Sequence, residues 1–508
     1  MLLRSLTLFL AAAAGTVPAA RTDRIADPDT AAWWRATEAL SSDAMEGRDT
    51  GSPGYDRAAR LLVERFAAAG LKPAGTDGGW FQRLDFTDIA VERRGTSLRI
   101  GTSRLRLLHD YTLRPSAGMP RVLRTELAYR GYCAAGDLGA VRGKLVLCHG
   151  WRREGLTSAA QRLAAVEAAG AAGIVTIADP GFTVEPMRWP VAYARSVAPV
   201  GAAVPAGDRL VVATLNPDAL AWVLAGSGQD AAALLRAGAA GQRLPSFDLG
   251  AVAELRVTVR ERRIASANVL GVLPGRDPVL RREHVVLSAH LDGYGRGEAV
   301  RGDGLYNGTL DDAAYVALLQ RLAERRRGAG YRRSVIFAAF TGEEKGLLGA
   351  TAFVADPPVG KGAIVANVNL DQLRPIFPLD LMTVHALDYT TLGDAVRSTA
   401  AGMGIAVQRD PEPERNLLRR ADHWPFLAKG IPATGFVFGY RPGTDSERRY
   451  RQWYEARYHK PQDDLGQPMD WASATKFNAF FYALVERVAD APVAPAWKPG
   501  SSLRPAAR

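Results

Sequence analysis

Three apolar runs in the second half of the chain each end on side chains that a buried strand does not carry for packing. His284-Val285-Val286-Leu287-Ser288-Ala289 runs into His290-Leu291-Asp292, and Ser334–Phe340 runs into Thr341-Gly342-Glu343-Glu344. The run ending Val368-Asn369-Leu370 is followed by Asp371. Short, continuous apolar runs of this kind are the pattern of strands buried on both faces, which need helices on either side. Residues 311–325 and 472–489 read as such helices, and the alternation predicts an α/β sheet. Ligands of open α/β sheets bind beyond the carboxyl ends of the strands. That is the edge where these three runs place their imidazole and carboxylate groups.

The chain is 508 residues long, so more than one domain is expected. With 47% hydrophobic and 23% charged residues it has the balance of a globular protein with a sizeable core. A first helix is expected from about residue 27, through Trp33-Trp34 towards Leu40, and a second after Gly51-Ser52-Pro53-Gly54. Its apolar positions Ala58, Leu61, Leu62, Phe66 and Ala69 fall near helical spacing, and Gly70 marks its stop. Over residues 111–262 the texture changes. Short β-like runs at 144–148, 173–177 and 210–214 surround one helix at 159–169, enough for a small domain. The flanking segments, 27–110 and 263–490, then form one discontinuous domain. The proline-rich tail, 491–508, reads as a loose end.

Residues 1–20 read as a signal peptide: Arg4, a short apolar run, then small residues around Val17-Pro18-Ala19-Ala20. The alternative, an uncleaved anchor, needs about 20 apolar residues, and the run is shorter. Export to the periplasm or beyond is expected, with no stable membrane insertion after cleavage. The net charge of +11 is carried mostly by arginine in short clusters mixed with acids, such as Arg260-Glu261-Arg262-Arg263. Without a basic tract interleaved with aromatics this reads as a solvated surface rather than a nucleic-acid site. The two cysteines, Cys133 and Cys148, are too few for a disulfide scaffold. Either they form one disulfide after export, or they are two small core residues.

Between the first two strands lies Asn307-Gly308-Thr309-Leu310-Asp311-Asp312, a loop that opens a helix; Tyr458-His459-Lys460-Pro461 lies on a late loop. Imidazole with carboxylate suits zinc, and one carboxylate can bridge a pair of metals. Of two adjacent glutamates, one can bind metal while its neighbour stays free as a base. Each piece alone has a plainer reading, as a turn, a cap or an exposed loop. Five in one chain form a pattern.

The segments SAHLD, YNGTLDDAA, AAFTGEEKGLLGA, NVNLD and YHKPQDD together resemble the two-zinc aminopeptidase family that includes bacterial leucyl aminopeptidases and, more distantly, glutamate carboxypeptidases. LSSDAMEGRDTGSPGYDRAARLL and RRADHWPFLAKGIPA extend the likeness, which covers most of residues 38–100 and 266–486. The resemblance implies a central mixed β-sheet flanked by helices and two zinc ions per chain, with cobalt or manganese as substitutes. It implies His290, Asp311 and Asp371 around one ion and Asp311, Glu344 and His459 around the other. It further implies Glu343 as general base, Asp292 as a carboxylate orienting the His290 ring, and a cis peptide between Asp311 and Asp312. Residues 111–262 resemble a protease-associated domain through Val141-Arg142-Gly143-Lys144-Leu145-Val146-Leu147 and the Ala168-Ala169-Gly170 turn. The expected activity is removal of N-terminal residues from peptides.

The chain departs from the resemblance at Ala314-Tyr315, where relatives carry Ser-Gly, and at Ala421, where they carry Ser. Tyr315 either narrows the pocket or packs in its helix. Arg374, Arg419 and Arg420 could pair with a substrate carboxylate, as a carboxypeptidase would need; the plainer reading is surface arginines. A catalytically inactive receptor-like relative should lack a ligand or the base, and none is missing. A single-zinc glutaminyl-peptide cyclase-like enzyme is disfavoured by the insert and the complete ligand set. Oligomeric state is not legible.

Overall fold

The computed structural model describes residues 25–359 and 363–506. The expected signal peptide lies outside the described residues. Among these, no helix is long and apolar enough to cross a membrane.

The three apolar runs are adjacent parallel strands. His284–His290 lies between Ser334–Phe340 and Ile364–Asn369, in register Leu287↔Phe337 and Leu287↔Val368. Ala433–Phe438 continues the parallel set, while Leu381–His385 and Ser246–Leu273 pair antiparallel at either side. The sheet is therefore mixed, as expected, and has 16 strands among the described residues.

Alternate residues of the central strands enter different cores, which explains their unbroken hydrophobicity. Val285, Leu287, Ala289, Val335, Phe337 and Ala339 pack in the cluster that holds Leu62, Phe66, Leu318, Leu319, Phe481 and Leu484. Val286, Ile336, Ala338 and Phe340 face the opposite cluster, with Phe353 and Phe426. The helices of the first face start where the sequence can cap them. Asp27 accepts from Thr30 N at 2.7 Å ahead of Pro28–Ser41, and Ser52 from Tyr55 N at 3.2 Å ahead of Pro53–Ala68. Asp470 does the same for Trp471–Ala489.

A second apolar cluster gathers residues from the middle of the chain, among them Tyr111, Leu127, Leu147, Val175 and Val211. It also takes in Leu98, Ile100, Leu105 and Leu108, which precede residue 111. Here Leu145–His149, Gly173–Ile177 and Val211–Leu215 form a parallel set, edged by antiparallel Tyr111–Leu113. Two long strands join the two regions. Phe81–Ile100 and Ser246–Leu273 pair antiparallel from Phe81↔Val269 to Ala253↔Ile100.

Cys133 and Cys148 are joined as a disulfide. The bridge spans a sequence separation of 15, and closing a loop of that size in the unfolded chain is worth about 3 kcal/mol. The double variant Cys133→Ser/Cys148→Ser is expected to lose about that much unfolding free energy. Denaturant titration checks this, and an unmoved midpoint would show that the bridge adds nothing.

Two expectations are corrected. The helix expected from residue 311 begins at Ala314, because Asp311 and Asp312 have non-helical backbone (φ −129° and −138°); the peptide between them is cis. The tail is not loose over its described part. Trp497 packs on the second-face cluster and its Nε1 donates to Gly430 O at 2.7 Å, while Lys498 pairs with Asp394 at 2.6 Å. A single aromatic anchor in a proline-rich segment is enough to dock it.

Candidate active site

Strand ends and the loops after them bring five of the predicted side chains together. His290, 1% exposed, closes its strand; its Nε2 lies 3.3 Å from Asp311 Oδ1 and 3.9 Å from Asp371 Oδ1. On the other side of the same carboxylate, Asp311 Oδ2 lies 3.2 Å from His459 Nε2, which is 3.4 Å from Glu344 Oε2. Asp311 thus sits between two imidazoles, with Asp371 beside one and Glu344 beside the other. Glu343 Oε2 is 3.9 Å from His290 Nε2. Asp312 also comes within reach of His290 and Asp371. Its Oδ2, however, accepts the His290 backbone N–H at 3.1 Å, so Asp311 is the better placed of the two.

The loop carrying Asp311 is held from several directions. Arg48, fully buried, donates through Nη1 to Leu40 O and Asn307 O, through Nη2 to Gly308 O, and through Nε to Leu291 O, all at 2.8–2.9 Å. Asp463 accepts from the backbone N–H groups of Leu310 and Asp311 at 3.1 and 3.0 Å. Gly308 has φ +60°, and a Cβ there would stand 2.4 Å from Asp311 O. Only glycine fits such a position. Arg48→Met leaves the carbonyls of Leu40, Leu291 and Asn307 without a donor, each costing about 1–3 kcal/mol, while Gly308 O keeps the Ala313 N–H. It is expected to lower unfolding free energy by more than about 3 kcal/mol, which denaturant titration checks.

Asp292 differs from expectation. The His290 ring is oriented by the Asp292 main-chain carbonyl, 3.0 Å from Nδ1, while the carboxylate stays 3.9 Å away. That carboxylate accepts from Glu343 N at 3.0 Å and Thr50 Oγ1 at 2.9 Å, so it fixes the backbone of Glu343 instead. His459 is set by Tyr294, whose hydroxyl is 2.9 Å from Nδ1 and whose ring lies 4.6 Å from the imidazole.

The donor set fits metal ions. His290 Nε2, both oxygens of Asp311, Glu344 Oε1 and Asp371 Oδ1 are buried without a hydrogen-bond partner. Burial, with Asp371 and Glu344 adding their charge, pushes Glu343 well above the usual carboxylate range, and burial raises Asp371 to about 6. So much acceptor capacity, shut away from water with no resident donor, is stable only if cations fill it. Nitrogen and oxygen donors of this kind suit zinc.

Residues 268–485 match the model of Peptidase family M28. That segment, 218 of the 508 residues, is similar to Peptidase family M28. Among curated relatives, a "Probable zinc metalloprotease" of Pyrenophora teres f. teres is 27% identical over 198 residues, 37% of this chain and 42% of the relative. A namesake in Pyrenophora tritici-repentis is 26% identical over 218 residues, 37% of this chain and 49% of the relative. The chain spans less than half the length of these relatives. Two solved structures share the fold. An aminopeptidase from Aneurinibacillus sp. strain AM-1 has TM-score 0.61 and 18% identity, covering 95% of this chain and 97% of that one. A zinc aminopeptidase from Bacillus subtilis has TM-score 0.57 and 18% identity, covering 90% and 94%. The M28 match contains every residue named above except Leu40, Arg48 and Thr50.

Sequence reasoning missed several contributors to the site. Asp463 lies four residues after His459 within a motif that was noted, but nothing in its spacing signals that it accepts from the loop of Asp311. Asp422 is buried with both oxygens unpartnered. Tyr315 packs: it is 1% exposed and its hydroxyl accepts from Arg374 N at 3.1 Å. Arg374 is not a surface arginine but is itself 1% exposed.

Proposed function

We propose that the chain is an exported, zinc-dependent exopeptidase that removes N-terminal residues from peptides. The observation that carries this is the Asp311 carboxylate, set 3.3 and 3.2 Å from two imidazole nitrogens with both oxygens otherwise unpartnered. His290, Asp311 and Asp371 would hold one zinc ion, and Asp311, Glu344 and His459 a second; cobalt or manganese would fit the same donors. Bound there, the ions supply a Lewis acid for the scissile carbonyl and a water acidic enough to ionise near neutral pH. Glu343 receives the proton of the attacking water and returns it to the leaving amine. Its carboxylate faces the His290 side of the cluster, and Asp292 keeps it there through the backbone N–H at 3.0 Å. Residues 111–262 form an inserted protease-associated domain, and residues 1–20 direct export.

Metal analysis of the purified protein, combined with a panel of free-amine and N-blocked peptides, tests this reading. Two zinc ions per chain and release from free N termini are expected. A protein that binds no metal, or cleaves only blocked peptides, is something else.

A further inference from the structure

Beside Asp371 the site opens into a small cavity of about 30 Å³. A water needs roughly 10–15 Å³ on this measure, so the space admits a polar group of a few atoms rather than a long or aromatic side chain. Its walls include Arg420, His385, His423, Tyr454 and Tyr458. Asp371, already placed in the cluster, is the sole acidic residue among them.

The surroundings are short of negative charge. Arg188, Arg415 and Arg420 all draw on one buried carboxylate, Glu185, at 3.3, 3.0 and 2.8 Å. Glu412 adds a second acceptor for Arg415 at 3.1 Å but is shared with Arg451. Among the described residues, no carboxylate is hydrogen-bonded to Arg374. Its three guanidinium nitrogens are buried without a hydrogen-bond partner, and its Cζ lies 4.2 Å from the ring centroid of Tyr454, a wall of the cavity. Nη2 of Arg415 is likewise unpartnered. His385 and His423 stack at 5.2 Å, and both ring nitrogens of His423 are buried without partner. Burial, then Arg415 and Arg374, hold His385 down to about 4, so it adds donor capacity at neutral pH without adding charge. Guanidinium groups with unused donors, in a desolvated setting, favour a carboxylate over any neutral group.

We infer that this cavity receives the side-chain carboxylate of an acidic N-terminal residue, so that the enzyme prefers glutamyl and aspartyl peptides. The inference rests on the exopeptidase reading above. Arg420, whose Nη1 and Nη2 also serve Glu185 at 2.8 and 2.9 Å, makes the direct contact; Arg374, whose donors are unused, and Arg415, whose Nη2 is unused, supply field from behind Tyr454. An apolar terminal residue would gain nothing from that field and would desolvate Arg420 without pairing it.

Glutamyl and glutaminyl 4-nitroanilides differ only in charge and test this directly on the zinc-loaded full chain. The glutamyl substrate is expected to show at least about tenfold higher kcat/KM, the scale of one charge-assisted hydrogen bond. In Arg420→Met that ratio should fall towards one. A glutaminyl or leucyl substrate turned over as fast as the glutamyl one by the wild type overturns the inference and leaves the exopeptidase reading standing. No hydrolysis of any free-amine substrate by zinc-loaded protein sinks both. Release of C-terminal glutamate from an N-acetylated dipeptide, without glutamyl preference at a free N terminus, assigns the cavity to an α-carboxylate and also overturns it. The wild-type ratio needs no variant, so the test survives if Arg420→Met fails to fold.

Discussion

Glu343→Gln is expected to keep its metal and lose turnover by about 10²–10⁴-fold, the usual share of a positioned general base. The two side chains have the same shape, and the bond from Glu343 N to Asp292 at 3.0 Å does not depend on which is present. Glu343 stands 3.9 Å from His290 but, unlike Glu344, has no proposed place among the ligands. The amide cannot accept a proton, so the loss should appear in kcat more than in KM. Metal analysis on the same preparation separates this from simple loss of zinc. Turnover within a few-fold of wild type, with metal retained, removes Glu343 from the chemistry.

The second large effect belongs to Asp311→Asn. One carboxylate faces both imidazoles, so neutralising it should weaken both subsites together. The expected loss of zinc affinity exceeds the roughly 10–100-fold that follows from removing an outer partner of a ligand. Competition against a chromophoric chelator would read it, with activity falling in parallel. Loss of one ion while the other keeps wild-type affinity would mean that Asp311 serves a single subsite. Replacing Asp371 or Glu344 should instead affect one subsite first, because each lies beside only one of the two imidazoles.

The central strands were legible because both their faces are buried, which leaves continuous apolar runs with sharp polar ends. Ser334–Phe340 and Gly173–Ile177 match their expected bounds for that reason. The helix after Asp311 began later than its periodicity implied. Carboxylates at 311 and 312 look like an ordinary acidic first turn, and only their tertiary role pulls them out of the helix. The proximity of the five proposed ligands was legible through motif resemblance, since residues spread over 170 positions have no local signal of it. What escaped were contacts made by main chain. The Asp292 carbonyl, rather than its side chain, orients His290, and Asp463 reaches backbone N–H groups some 150 residues away. Backbone partners leave no trace in residue type. Arg374 and Arg48 escaped for a related reason: arginine is presumed to be solvated, and only tertiary structure shows one caged by aromatics and the other by carbonyls.

The two strands Phe81–Ile100 and Ser246–Leu273 span both apolar regions as one ladder, with its register broken once, between Arg256 and Thr258. Enzymes that clamp down on a substrate usually turn about short flexible connectors, and here a paired beam occupies that position. Swinging one lobe against the other would mean bending or unzipping backbone hydrogen bonds along that beam. The two apolar regions should accordingly keep a nearly constant spacing as the protein fluctuates.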